Sequence, residues 1–308
     1  MSSMDILVAL IKSVGLITSA LSVYYFVLDT PRNFKVENDT MASTVFTTDT
    51  LPKDTRLMAT IGNGYIATRV FSDSVFVSGV YNGRRREPSH RARVPSTAAM
   101  SWSLAESQDA VKTTYSLDVA RGVFLERSEG DGFEIEVFLY AHRKQKHLVV
   151  IEMSVRNTRS EVLKINLVNS QGNNSSDIVF HDVPQSEFPA GSFEQTKAMY
   201  GEIDTTEEES SAKVGVAVVW TIVPESLDIE ARTNRTFYFI TAIVTSLDTV
   251  DYFRSALDFH QEATKNVEGL LEGHSEEWAR LWKEASVEVQ GHLKLSQAVH
   301  GSLYYILR

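Results

Sequence analysis

At 308 residues, 43% hydrophobic and 23% charged, the chain has the make-up of a globular protein long enough for one large domain or two ordinary ones. Its 30 basic and 40 acidic residues leave a net charge of −10, which repels a phosphate backbone and argues against nucleic acid as a partner. With no cysteine, disulfides, thiolate metal sites and thiol nucleophiles are excluded, while the compartment stays open.

Ile6 to Leu28 is apolar except for Lys12 and a few hydroxyls. It meets the roughly 20 residues that a membrane-spanning helix needs. A signal-anchor is the preferred reading; a cleaved signal peptide and a buried helix of a cytosolic protein are the alternatives. The sequons at Asn38, Asn173, Asn174 and Asn234 fit a luminal chain and also arise by chance. Membrane or secretory-pathway localisation is therefore expected, with the cytoplasm as the alternative.

Residues 31–50 read as a polar, hydroxyl-rich linker. From there to 248, period-two alternation recurs. Phe133, Ile135, Val137 and Leu139 alternate with Glu134 and Glu136, and Val149, Ile151, Met153 and Val155 follow the same rule. Val214 to Ile222 and Phe237 to Val244 are more continuously apolar, as strands covered on both faces would be. This predicts a mainly β, large antiparallel sandwich over 51–248. At Thr249 the spacing turns helical: 249–286 reads as a helical linker, in one or two helices broken near Gly269 or Gly273. Val287-Glu288-Val289 reads as a short extended piece. A last helix within 287–308 carries Leu295, Val299, Leu303 and Leu307 on one stripe. The expectation is that this stripe lies bare, the start of a truncated helical domain, so that removing everything after Ala285 raises soluble yield.

Few residues announce chemistry. Gly62-Asn63-Gly64 lacks the third glycine and following helix of a dinucleotide loop, and reads as a turn between strands. Arg84 to Arg93, the most basic tract, could grip an anion or rim a sugar site, but a solvated loop explains it better. His142 and His147 lack metal-ligand spacing and a third ligand. Asp204, Glu207, Glu208 and Glu209 read as a hydrated acidic turn. Glu276 and Glu277 are adjacent on a helix, so they point about 100° apart and do not converge. Glycoside hydrolysis needs two carboxyl groups flanking one bond, and no such pair is marked. The sequence marks no catalytic, cofactor-binding or metal site.

Taken together, several blocks resemble glycoside hydrolase family 65, in its animal acid-trehalase-like branch. They are Leu57 to Arg69, Val77 to Gly83, His90-Arg91-Ala92, Tyr140 to Arg143 with His147, Trp278 to Trp282, and Gly301 to Leu307. The resemblance covers roughly residues 50–308. It implies a galactose-mutarotase-like super-sandwich, linker helices, and the first helix of an (α/α)6 barrel whose catalytic acid and base lie on later segments. It further implies, for the complete protein, an inverting α-glucosidase that removes glucose from glucosyl-galactosyl-hydroxylysine of collagen, with phosphorolysis as the family's other reaction and no cofactor. Carbohydrate is then the partner, and the chain alone is expected to be inactive. Ala67 where the family has glycine, the basic loop Arg84 to Arg86 and the apolar N-terminus depart from the pattern. The alternative from another class is a membrane-tethered, non-catalytic carbohydrate- or protein-binding module.

Overall fold

The computed structural model describes residues 43–84, 89–105, 110–173, 175–184, 188, 195–289 and 292–308. The apolar segment 6–28 and the sequons at Asn38 and Asn174 lie outside the described residues. Among those described, no helix is long and apolar enough to cross a membrane.

A nine-stranded antiparallel sheet carries the architecture. Its spatial order is β1 (Val45–Thr48), β9 (Lys112–Asp118), β10 (Val123–Gly130), β11 (Phe133–Ala141), β12 (Leu148–Asn157), β18 (Asn234–Thr245), β16 (Gly215–Thr221), β15 (Thr196–Ile203) and β14 (Ile178–Asp182). Against its inner face lie three smaller sheets. They are β17 (Ser226–Ile229), β13 (Leu163–Asn169) and β8 (Met100–Leu104); β2 (Thr60–Gly62), β3 (Ile66–Arg69), β4 (Ser74–Val77) and β7 (Val94–Pro95); and the pair β5 (Tyr81–Asn82) and β6 (His90–Arg91). One core joins them: Phe124, Ile135, Val149, Ile151 and Val218 of the large sheet meet Ile61, Ile66, Val77, Ile165 and Ile229 of the small ones. This is the mainly β antiparallel sandwich that the alternation predicted.

The continuous apolar runs have a second cover. Helix α1 (Tyr252–Lys265) lies across β16 and β18. Its Ala256 and Leu257 pack on Ala217, Val219 and Val244. Helix α2 (Leu270–Glu284) begins at Leu270, which packs with Ala263 on Val123, Leu148, Val150, Ile240 and Ala242. Odd positions of β12 thus face the sandwich core while Leu148 and Val150 face the helices, as burial on both faces demands.

Three expectations are corrected. The linker does not reach residue 50, because Val45–Thr48 pairs with β9 as an edge strand held by buried Phe46. Four residues with one large apolar anchor among hydroxyls leave little periodic signal. Val287–Val289 forms no strand. Helix α3 (Leu293–Leu307) is docked rather than bare, and through a different face. Ser296, Gly301 and Tyr304 are its buried residues, Val299, Leu303 and Leu307 are half-buried, and Leu295 and Ile306 stay exposed. Small residues let the backbone approach the sandwich, and Tyr304 buries a full ring because its hydroxyl finds a carbonyl acceptor at Thr60. The helical break falls at Asn266–Gly269, where a short 3-10 turn separates α1 from α2, and Gly273 sits inside α2.

The sandwich–helix junction as candidate functional site

The turn at Gly62-Asn63-Gly64 joins β2 to β3, with Gly64 at φ 85°, where a β-carbon is disfavoured. Buried Asn63 uses both ends of its amide. Its Oδ1 accepts from the backbone N–H of Tyr65 (2.9 Å) and Ile66 (2.7 Å), and its Nδ2 donates to the carbonyls of His142 (2.9 Å) and Lys146 (2.8 Å). The motif is therefore a clasp between the β2–β3 turn and the loop after β11, not a phosphate loop.

That loop reaches the helices. The Arg143 N–H donates to Nδ1 of His274 on α2 (3.0 Å), and Nη1 donates to the Leu307 carbonyl at the end of α3 (2.9 Å). The Arg143 guanidinium lies 5.2 Å over the Trp278 ring, and Trp278 is 5.3 Å from Tyr304. Tyr304 donates to the Thr60 carbonyl at 3.0 Å, closing the circuit on β2. Trp282 donates to the Val119 carbonyl at 3.1 Å. Gly122, at φ 65°, lies so close to Trp278 that a β-carbon would sit 2.2 Å from the indole nitrogen. Four of the blocks spread over 57–307 in sequence thus meet at one junction. A cation over an indole and a charged donor on a helix's terminal carbonyls are both favourable there.

Beside it, Asp248 gathers the Tyr65 hydroxyl, the Thr245 hydroxyl (2.9 Å) and the Lys146 ammonium (2.9 Å). His147 stacks on Phe259 at 4.5 Å, with Nε2 3.4 Å from Asp248. Burial opposes ionisation of Asp248, but the bonds from Tyr65, Lys146 and Thr245 outweigh it and hold the carboxyl well below the usual range. Burial lowers the His142 pKa to about 4 and, with the neighbouring His142, that of His274 to about 3. His142 accepts backbone N–H bonds from Lys144 and Gln145 through Nδ1, so it shapes the loop. Among the described residues, no group of three or more His, Asp or Glu is placed to hold a metal.

A cleft of about 1130 Å³ opens between α2, α3 and the segment joining them, with Arg121, Trp282, Lys283, Glu288, His292 and His300 in its wall. Among the described residues Glu288 is the one carboxylate lining it, so they assemble there no facing pair of the kind that splits a glycosidic bond. Glu126 has its pKa raised by burial, against the hydrogen bond from Trp102 (2.8 Å), but it borders a space of only about 10 Å³ in the sandwich core. No sugar ring fits. Glu277, half-buried on α2, pairs with Arg280 at 3.0 Å, while Glu276 is exposed.

The basic and acidic tracts face each other at one edge. Arg84 lies 3.7 Å from Glu209, Ser89 donates to Glu207 at 2.7 Å, and the Gly83 N–H donates to the Thr205 carbonyl. Arg93 grips buried Asp177 through Nε (2.8 Å) and Nη2 (2.9 Å), with His90 3.2 Å away. The Arg93 bonds hold Asp177 well below the usual carboxylate range. Asp177 and Asp248 escaped the sequence reading; each is a lone acid beside a strand end, a pattern too common to mark.

No protein-family model matches the chain. Among curated proteins it is 32% identical over 267 residues to the protein-glucosylgalactosylhydroxylysine glucosidase of Mus musculus, covering 85% of this chain and 37% of that one. To the proteins of the same name it is 29% identical over 267 residues in Gallus gallus and 27% over 260 residues in Dictyostelium discoideum. The chain is homologous to glycoside hydrolase family 65, in this glucosidase branch. It spans a little over a third of the length of these family-65 relatives. A solved structure described as "Putative kojibiose phosphorylase from human microbiome" superposes with a TM-score of 0.63 at 13% identity, covering 86% of this chain and 41% of that one. At that identity the likeness speaks for the family-65 fold alone.

Proposed function

We propose that the chain supplies the sandwich and first helices of an α-glucosidase acting on glucosylgalactosyl-hydroxylysine of collagen. Its two-carboxylate, inverting chemistry would reside on segments outside these 308 residues. What supports the reading is the relatedness over 85% of the chain, together with the meeting of the family-like blocks at one junction. On this reading the chain is a scaffold. Asn63, Arg143 and Tyr304 fix how α3 leaves the sandwich, and bond cleavage belongs to groups that α3 helps to position.

The test is a chimera in which residues 43–308 replace the matching segment of the mouse relative. Release of glucose from a glucosylgalactosyl-hydroxylysine peptide within about tenfold of the parent supports the proposal, tenfold being only about 1.4 kcal/mol of transition-state stabilisation. A soluble, folded chimera that releases none overturns it. The purified 308-residue chain should release no glucose; turnover abolished by replacing one of its own acids would move the chemistry onto this chain.

A further inference from the structure

Two sequons have their asparagine among the described residues, exposed in both: Asn173, whose triplet ends at Ser175, and Asn234, whose triplet Asn234-Arg235-Thr236 is described throughout. The buried asparagines Asn63 and Asn157 instead donate their side-chain amides to backbone carbonyls and Asn82 accepts the Thr205 N–H, and each is followed two places on by Tyr65, Arg159 or Arg84, in that order, which complete no acceptor triplet. The two exposed sites differ. Ser175 is tied down, its hydroxyl donating to the Arg93 carbonyl at 3.0 Å and accepting from the Asp177 N–H at 3.2 Å, beside the buried Arg93–Asp177 pair. Asn234 opens β18 opposite Arg156, on the part of the outer sheet face that α1 and α2 leave uncovered. Thr236, on the same face, shares a hydrogen bond with the Ser154 hydroxyl at 3.0 Å. At ~3.3 Å per residue, Asn234 stands roughly 35 Å along β18 from Thr245, so a bulky group there stays clear of the helix junction.

We propose that Asn234 carries an N-linked glycan, on a chain that the apolar segment 6–28 directs into the secretory lumen. The oligosaccharide comes from a lipid-diphosphate donor. The amide nitrogen of Asn234 forms a bond to sugar C1, the bond from C1 to the diphosphate oxygen breaks, the lipid diphosphate leaves with the electron pair, and the amide gives up one proton. A hydrated, bulky modification suits this open face, whose outward residues, Ser154, Arg156, Asn234 and Thr236 among them, are polar.

The full chain, expressed in cultured animal cells, tests this by gel mobility before and after peptide N-glycosidase F. The expected result is one downward step, lost in Asn234→Gln and in Thr236→Ala and kept in Thr236→Ser, which retains the acceptor triplet and guards against misfolding as the cause of loss. No step on the wild-type chain overturns the proposal. So does a step that survives Asn234→Gln and vanishes in Asn173→Gln.

Discussion

Acid should loosen this protein through histidines that its fold keeps neutral. His142, His260 and His274 are buried to within a few per cent of full cover, and burial lowers their pKa values to about 4, about 4 and about 3. In the unfolded chain each returns to roughly 6.5. Between those limits the unfolded state binds more protons than the folded one, so stability falls as the pH drops from 6.5 toward 4. At pH 5 one such histidine costs about 2 kcal/mol, and the three together roughly 5 kcal/mol, since His142 and His274 share one neighbourhood. Buried Asp118 and Glu126 act oppositely, because burial raises their pKa values and acid relieves the cost of keeping them charged. Asp177 and Asp248, held low by their partners, stay ionised at pH 5 and lie outside this window. The expected net loss is at least about 3 kcal/mol between pH 7.5 and pH 5, a large share of an ordinary domain's stability. Urea unfolding at the two pH values measures it, and His260→Gln should flatten the dependence, as an amide can keep the ring's hydrogen bond with the Thr221 hydroxyl (3.0 Å) without titrating. A urea midpoint at pH 5 equal to or above that at pH 7.5 would refute the reasoning.

Two further outcomes follow from the junction. Gly122→Ala puts a β-carbon at φ 65° and against the Trp278 indole, so left-handed strain and overpacking should cost roughly 2–5 kcal/mol, read as a lower urea midpoint at unchanged slope. Deleting residues 286–308 uncovers Trp278, takes the Tyr304 hydroxyl from the Thr60 carbonyl and the Leu307 carbonyl from Arg143, so it should lower the thermal midpoint and the soluble yield; a rise in either would mean that α3 contributes nothing to the sandwich.

Much of the fold could be read from periodicity, because one covered face imposes alternation and two covered faces remove it. The run 133–139 shows the first case and 237–244 the second, and the structure places them as a half-covered and a helix-backed strand. The face of α3 was not legible. Counting apolar residues favours Leu295, Val299, Leu303 and Leu307, whereas docking is decided by where Tyr304 finds an acceptor and where Ser296 and Gly301 allow close approach. The junction was legible only as a set of family-like blocks. That Asn63 spans to His142, or Arg143 to Leu307, is a tertiary fact with no local signature. The same holds for the facing charge tracts, whose complementarity appears only when residues 84 and 209 are brought side by side.

The helices laid over half of the large sheet also act as a gauge for its assembly. Along β12 a slip of one residue would turn the core-facing Val149, Ile151, Met153 and Val155 outward and is ruled out by alternation. A slip of two preserves that alternation, and the inner face alone could hardly tell it from the true pairing. Under α1 and α2 it matters greatly. Leu148 and Val150 lie beneath the helices opposite Ala242 and Ile240, and the next outward position is Glu152. Sliding Glu152 into that dry strip would strand a carboxylate there, so the helical cover, arriving last along the chain, is what proofreads the strands already made.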